Sequence, residues 1–102
     1  MLIIIYPSNN NKLILERFNK YKYILFDNIC LLKKIKDKEI AIIIDCTCLN
    51  NDGIVNEYNF QFEEILISKK VEFIFAINPN EKITEISNFY DVPLIKLNYL
   101  IT

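Results

Sequence analysis

The segment that most restricts the fold is Ile40-Ala41-Ile42-Ile43-Ile44, closed by Asp45. Five apolar residues in succession leave a strand no polar face to give to water, so both of its faces must be covered. An antiparallel sheet with one wet face alternates apolar and polar residues instead. Doubly covered strands belong to parallel sheets, and parallel neighbours must be joined by crossovers of a dozen or more residues, usually helices. The rest of the chain should therefore alternate strands with helices.

It does. Leu2 to Tyr6 is a continuous apolar strand stopped by Pro7. Ser8 or Asn9 can cap a helix reaching about Tyr21, with Ile14, Phe18 and Tyr21 on one face. Tyr23 to Phe26 is a short second strand. Asp27 or Asn28 then caps a helix with Leu31, Leu32 and Ile35 inward. Ile40 to Ile44 is the third strand, and a helix with Tyr58, Phe62, Ile65 and Leu66 inward runs to about Lys69. Val71 to Ile77 is the fourth strand. Asn78-Pro79-Asn80-Glu81 reads as a helix start with Asn78 as the cap and Pro79 in the first turn. Ile83, Ile86 and either Phe89 or Tyr90 face inward along that helix, and Pro93 to about Leu100 is the last strand. This order predicts one α/β domain over residues 1–102. The expected architecture is a three-layer αβα sandwich on a five-stranded, mainly parallel sheet, flavodoxin-like with order 2-1-3-4-5, or Rossmann-like.

Composition removes several chemistries. The chain has no His, which excludes Ser-His-Asp triads, Cys-His dyads and His-ligated zinc. Its single Gly excludes the P-loop and the Gly-x-Gly-x-x-Gly fingerprint. The net charge of −1 offers no basic excess for a phosphate backbone, so no nucleic-acid partner is expected. No apolar run approaches the ~20 residues of a membrane helix. The run Met1 to Ile5 is too short for a signal peptide, so the expected location is cytoplasmic, away from membranes.

In a parallel α/β sheet, chemistry gathers at the carboxyl ends of the strands. Asp45 ends the third strand there and is the candidate acid/base or metal-binding residue; chain termination by an Asp turn is the simpler account. Ser8, Asn9, Thr47 and Asn78 belong to loops at the same edge. With Asp45 they form a polar rim able to hold a phosphate-containing ligand, although ordinary helix caps explain the same residues. Cys46 and Cys48 form a Cys-x-Cys, but only Cys30 could add a third thiol, short of a tetrahedral site. Buried, inert thiols account for them more simply.

Asp45 followed by Asp52-Gly53 resembles the phosphoacceptor Asp and Asp-Gly pair of response-regulator receiver domains. The element order is similar over most of the chain, and Lys96 falls near the invariant Lys of that family. Tyr6-Pro7-Ser8 stands where receivers carry their Mg²⁺-binding acidic residues, Ala76-Ile77-Asn78 lacks the hydroxyl residue that ends their fourth strand, and only six residues follow Lys96 where they have a final helix. The resemblance therefore implies a degenerate receiver that works by binding, without phosphorylation. Mg²⁺ is the cofactor the family would bring; without the acidic pair, none is expected here.

Seven Phe and six Tyr are more than one small core absorbs. Phe60 lies off the inward face of the expected third helix. Tyr99 and Leu100 end an apolar strand with no covering helix after it, an edge suited to pairing with another chain. The sequence thus favours an interaction module that binds another protein or itself as a homo-oligomer through Phe60, Tyr99 and Leu100. The alternative is a small Rossmann-like enzyme or ligand-binding domain that uses the rim around Asp45.

Overall fold

The computed structural model describes residues 2–5, 16, 20, 22–25, 35–36, 39–56 and 59–97. The strands are β1 (Leu2–Ile5), β2 (Tyr23–Leu25), β3 (Glu39–Asp45), β4 (Ile54–Val55), β5 (Phe60–Gln61), β6 (Lys70–Ile77) and β7 (Leu94–Leu97). A 3₁₀ turn spans Cys46–Cys48, and the helices whose full range is described are α1 (Glu63–Ser68) and α2 (Glu81–Tyr90). The five-stranded sheet runs β2-β1-β3-β6-β7, with every neighbouring pair parallel. Numbered among themselves, these strands stand in the order 2-1-3-4-5. The chain is thus an α/β domain with a flavodoxin-like sandwich, as the run at Ile40–Ile44 demands.

β3 lies at the centre of the sheet, and its residues from Ile40 to Ile44 are all buried. Side chains alternate across the sheet and divide the core in two. Ile4, Ile40, Ile42, Ile44, Ile74 and Ala76 face α1 and α2, where they meet Phe62, Ile65, Ile83 and Ile86. Ile3, Ala41, Ile43 and Ile77 form the core of the other face, with Phe73, Phe75 and Leu97 against them. β6 carries one irregularity: its register to β3 slips between Ile40 and Ala41, leaving Glu72 as the extra residue beside Lys70, with which it pairs at 3.4 Å.

Residues 54–56 and 59–62 differ from the expected long helix. β4 and β5 form a small antiparallel hairpin, and α1 begins only at Glu63. Tyr58, Phe62, Ile65 and Leu66 have helical spacing, but Phe62 is held by its N–H to the Gly53 carbonyl at 2.9 Å. Phe60, expected off the inward face, is 4% exposed and belongs to the core, because a strand turns it against Val55 and Phe62 instead of around a helix. The Lys69 ammonium ties the end of α1 to the Ile35 carbonyl at 2.7 Å.

α2 starts two residues later than the sequence suggests. Asn80, not Asn78, is its cap, and Pro79 precedes the helix. Ile83 and Ile86 point inward as expected. Of the aromatic pair, Tyr90 is half-buried and Phe89 is 79% exposed, the two rings meeting edge to face at 4.9 Å. The Tyr90 hydroxyl is pushed up from its ordinary value by desolvation and then by the Glu63 carboxylate it bonds. Asp91 ends the helix in the left-handed conformation, and Ser87 closes the exit with its hydroxyl on the Val92 carbonyl at 2.6 Å. Among the described residues, no helix is long and apolar enough to cross a membrane.

Candidate functional site

The carboxyl end of β3 delivers Asp45 to the head of the 3₁₀ turn. Its carboxylate is buried, and Oδ1 accepts from the Thr47 N–H at 3.1 Å and from the Thr47 hydroxyl at 2.9 Å. This is a helix cap: the strand's last side chain satisfies a backbone donor that the turn leaves without an internal partner. Asp45 and Thr47, both proposed from sequence, do meet, but they meet each other.

Cys46 is buried beneath the turn. Burial pushes its thiol up to about 12, the contact with Asn80 partly opposes this, and the Asp45 charge adds to it. A thiol so placed holds its proton at neutral pH and is a poor nucleophile. Cys48 is half-buried. Among the described residues, no three His, Cys, Asp or Glu side chains come together to hold a metal ion.

Asn80 is the residue that organises this edge. Its Oδ1 accepts from the Ile83 N–H at 2.9 Å and caps α2. Its Nδ2 donates to the carbonyls of Cys46 at 3.1 Å and Leu49 at 3.3 Å. One side chain therefore fastens the start of α2 to both ends of the 3₁₀ turn. Sequence reasoning passed over it because Asn78 and Asn80 flank Pro79 symmetrically, and Pro favours the first helical position. Asn78 instead follows the end of β6 with a left-handed φ of 51° and is exposed.

The loop after the turn is tied by Asn50. Its Oδ1 accepts from the N–H groups of Asp52 at 2.9 Å and Ile54 at 3.1 Å, and its Nδ2 donates to Asn56 at 3.1 Å. Asp52 is exposed on this loop, and its backbone carbonyl accepts from the Gln61 amide at 3.0 Å. Gly53 adopts a φ of +80°, which an L side chain rarely takes. Asp45 is thus buried in one turn while Asp52 lies in the surface of the next.

Lys96 lies in β7 opposite Ala76. It lines a groove of about 730 Å³ with Pro79, Asn80, Glu81, Thr84 and Glu85 of the α2 start. That groove does not include Asp45 or Thr47, and two carboxylates against one ammonium do not suit a phosphate. Ser8, Asn9, Tyr99 and Leu100 lie outside the described residues. Comparison with family models, curated proteins and solved structures gave no match to this chain.

Proposed function

We propose that this chain is a non-catalytic protein-interaction module of degenerate receiver type, acting by oligomerisation or by binding another protein through β7 and α2. The observation that carries the reading is Phe89. It is a large aromatic side chain, 79% exposed, on a helix whose Ile83 and Ile86 already fill the core. Burying one such ring removes 150–250 Å² or so from water, a common anchor for an interface. Ile95 on the edge strand β7 adds a second exposed apolar group.

The receiver part of the reading is supported by the strand order, by Asp45 at the end of β3 and by Lys96 near the end of β7. The degenerate part is supported by the Asp45 carboxylate, whose Oδ1 is engaged twice by Thr47. Phosphoryl transfer needs that carboxylate presented to a metal and a phosphoryl donor.

Sedimentation velocity over a wide concentration range, for the natural chain and Phe89→Glu, tests the interface. The expected result is association in the natural chain and a shift toward monomer in Phe89→Glu, with circular dichroism unchanged. A monomer indifferent to Phe89→Glu, with no partner recovered from lysate, overturns the interaction reading. Titration with Mg²⁺ and beryllofluoride, read by backbone amide shifts, tests Asp45. No response is expected there; a response at Asp45 that Asp45→Asn abolishes overturns the degenerate assignment.

A further inference from the structure

The Asp52-Gly53 dipeptide carries a chemistry that the interaction reading does not use. The carboxyl carbon of an Asp and the next backbone nitrogen can close a five-membered ring, an intramolecular reaction favoured by proximity. The nitrogen bonds to that carbon, and the carboxyl hydroxyl leaves as water with the nitrogen's proton. Water then adds to one of the two carbonyls of the cyclic imide. Opening at the side-chain carbonyl returns Asp. Opening at the backbone carbonyl leaves isoaspartate, with the chain rerouted through the side chain. One water leaves and one enters, so the step needs no other reactant. Gly is the residue that least crowds the attacking nitrogen, and the chain's single Gly makes this its one Asp-Gly. Asp91 is also exposed, but the branched Val92 follows it.

The fold exposes one partner of this reaction and restrains the other. Asp52 is exposed, while Gly53 is buried. Ring closure requires the peptide between them to turn and its nitrogen to give up a proton. Both ends of that peptide are tied. The Asp52 carbonyl accepts from Gln61 Nε2 at 3.0 Å, and the Gly53 N–H donates to the Asn50 carbonyl at 3.0 Å. The neighbouring groups are tied as well, the Asp52 N–H to Asn50 Oδ1 at 2.9 Å and the Gly53 carbonyl to the Phe62 N–H at 2.9 Å. Two of these partners, Gln61 and Phe62, come from β5 or the residue after it, so the restraint lasts only while the β4–β5 hairpin is closed.

We infer that Asp52 is a site of isoaspartate formation gated by the β4–β5 hairpin, with Gln61 as the clamp. The closed hairpin holds the reacting peptide still, and the reaction proceeds from the locally opened state. Its rate is then the intrinsic rate of the dipeptide multiplied by the fraction of time the hairpin is open. The product does not return to the same turn. It lengthens the backbone by one atom and converts the Asp52 carbonyl, which Gln61 holds, into a pendant carboxylate. The turn has no slack for this, since even a Cβ on Gly53 would come within 2.7 Å of Gln61 Nε2. Isomerisation therefore leaves the hairpin open and uncovers Val55 and Phe60, both buried in the closed form.

Incubation in heavy-oxygen water, followed by peptide mass spectrometry, tests this, because the water that opens the ring stays on residue 52. A free peptide of residues 49–55 supplies the ungated rate. Label is expected at Asp52 and not at Asp91, more than about tenfold slower in the folded chain than in the peptide. Gln61→Met keeps the bulk of the side chain and removes the donor, and Gln61→Ala removes both. Loss of that one bond should speed labelling about two- to tenfold, and exchange of the Gly53 N–H by the same factor. Circular dichroism checks the fold, and Gln61→Met decides if Gln61→Ala does not fold. A folded chain that labels as fast as the peptide overturns the gate. So do variants that label no faster than the natural chain, exchange that quickens without labelling, and label at Asp91 equal to that at Asp52.

Discussion

Asn80 shows how much one side chain can settle. It makes one cap bond to Ile83 and two bonds to the carbonyls of Cys46 and Leu49. An N-cap replaced by Ala costs about 0.5–2 kcal/mol. Each half-buried hydrogen bond contributes about 0.5–1.5 kcal/mol more. Asn80→Ala should therefore lower the unfolding free energy by about 2–3 kcal/mol. Asn80→Ser keeps the cap oxygen and gives up the two carbonyl bonds, so it should lose about 1–2 kcal/mol. Urea unfolding of the three chains separates the two roles. Equal losses in Ser and Ala would show that the cap contributes nothing. The candidate site was legible at this scale only in part. Asp45 at the end of an apolar strand was readable as a marked position, but the sequence could not say that Thr47, two residues on, takes its oxygen.

Elements were legible where many residues repeat one message, and were misread where two or three residues decide. The run at Ile40 is long enough to mark a strand buried on both faces, and the apolar runs at Leu2 and Val71 mark strands. β4 and β5 have two residues each, too few to show alternation, and Phe62, Ile65 and Leu66 mimic a helical face that α1 only completes. What makes the hairpin is a glycine. Gly53 donates its N–H to the Asn50 carbonyl at 3.0 Å and accepts from Phe62, with φ at +80°. A Cβ there would come within 2.7 Å of the Gln61 amide nitrogen, the group that holds the Asp52 carbonyl. Gly53→Ala should cost about 1–3 kcal/mol, from the left-handed backbone together with the displaced Gln61. In amide exchange, the Phe62 and Gly53 N–H groups should lose protection before those of β3. Unchanged stability in Gly53→Ala would mean that the hairpin forms without this turn.

At the scale of the whole molecule, the sheet is a wall between two cores. Ile42 belongs to the cluster under α1 and α2, and Ile43 to the cluster on the other face, although they are chain neighbours at the centre of the same strand. That separation follows from the period of two in an extended chain, and it is the reason Ile40–Ile44 was readable as doubly buried before any neighbour was known. Which strand lies beside which needs the crossovers, and the order with β1 between β2 and β3 puts the longest strands, β3 and β6, in contact along their whole length. The division has an energetic consequence. Ile→Val in a close-packed core costs about 0.5–1.5 kcal/mol, and losses add to within about 0.5 kcal/mol when the residues share no partners. Ile42→Val and Ile43→Val should each fall in that range, and the double variant should lose their sum, despite the peptide bond that joins them. By contrast, Ile42→Val with Ile74→Val, both in the first cluster and paired directly across β3 and β6, should depart from the sum, because the cavity opened by one can be shared by the other. Chemical unfolding of the single and double variants reads both. Strong coupling between positions 42 and 43 would mean that the backbone of β3 shifts as a unit and transmits the strain of one core to the other.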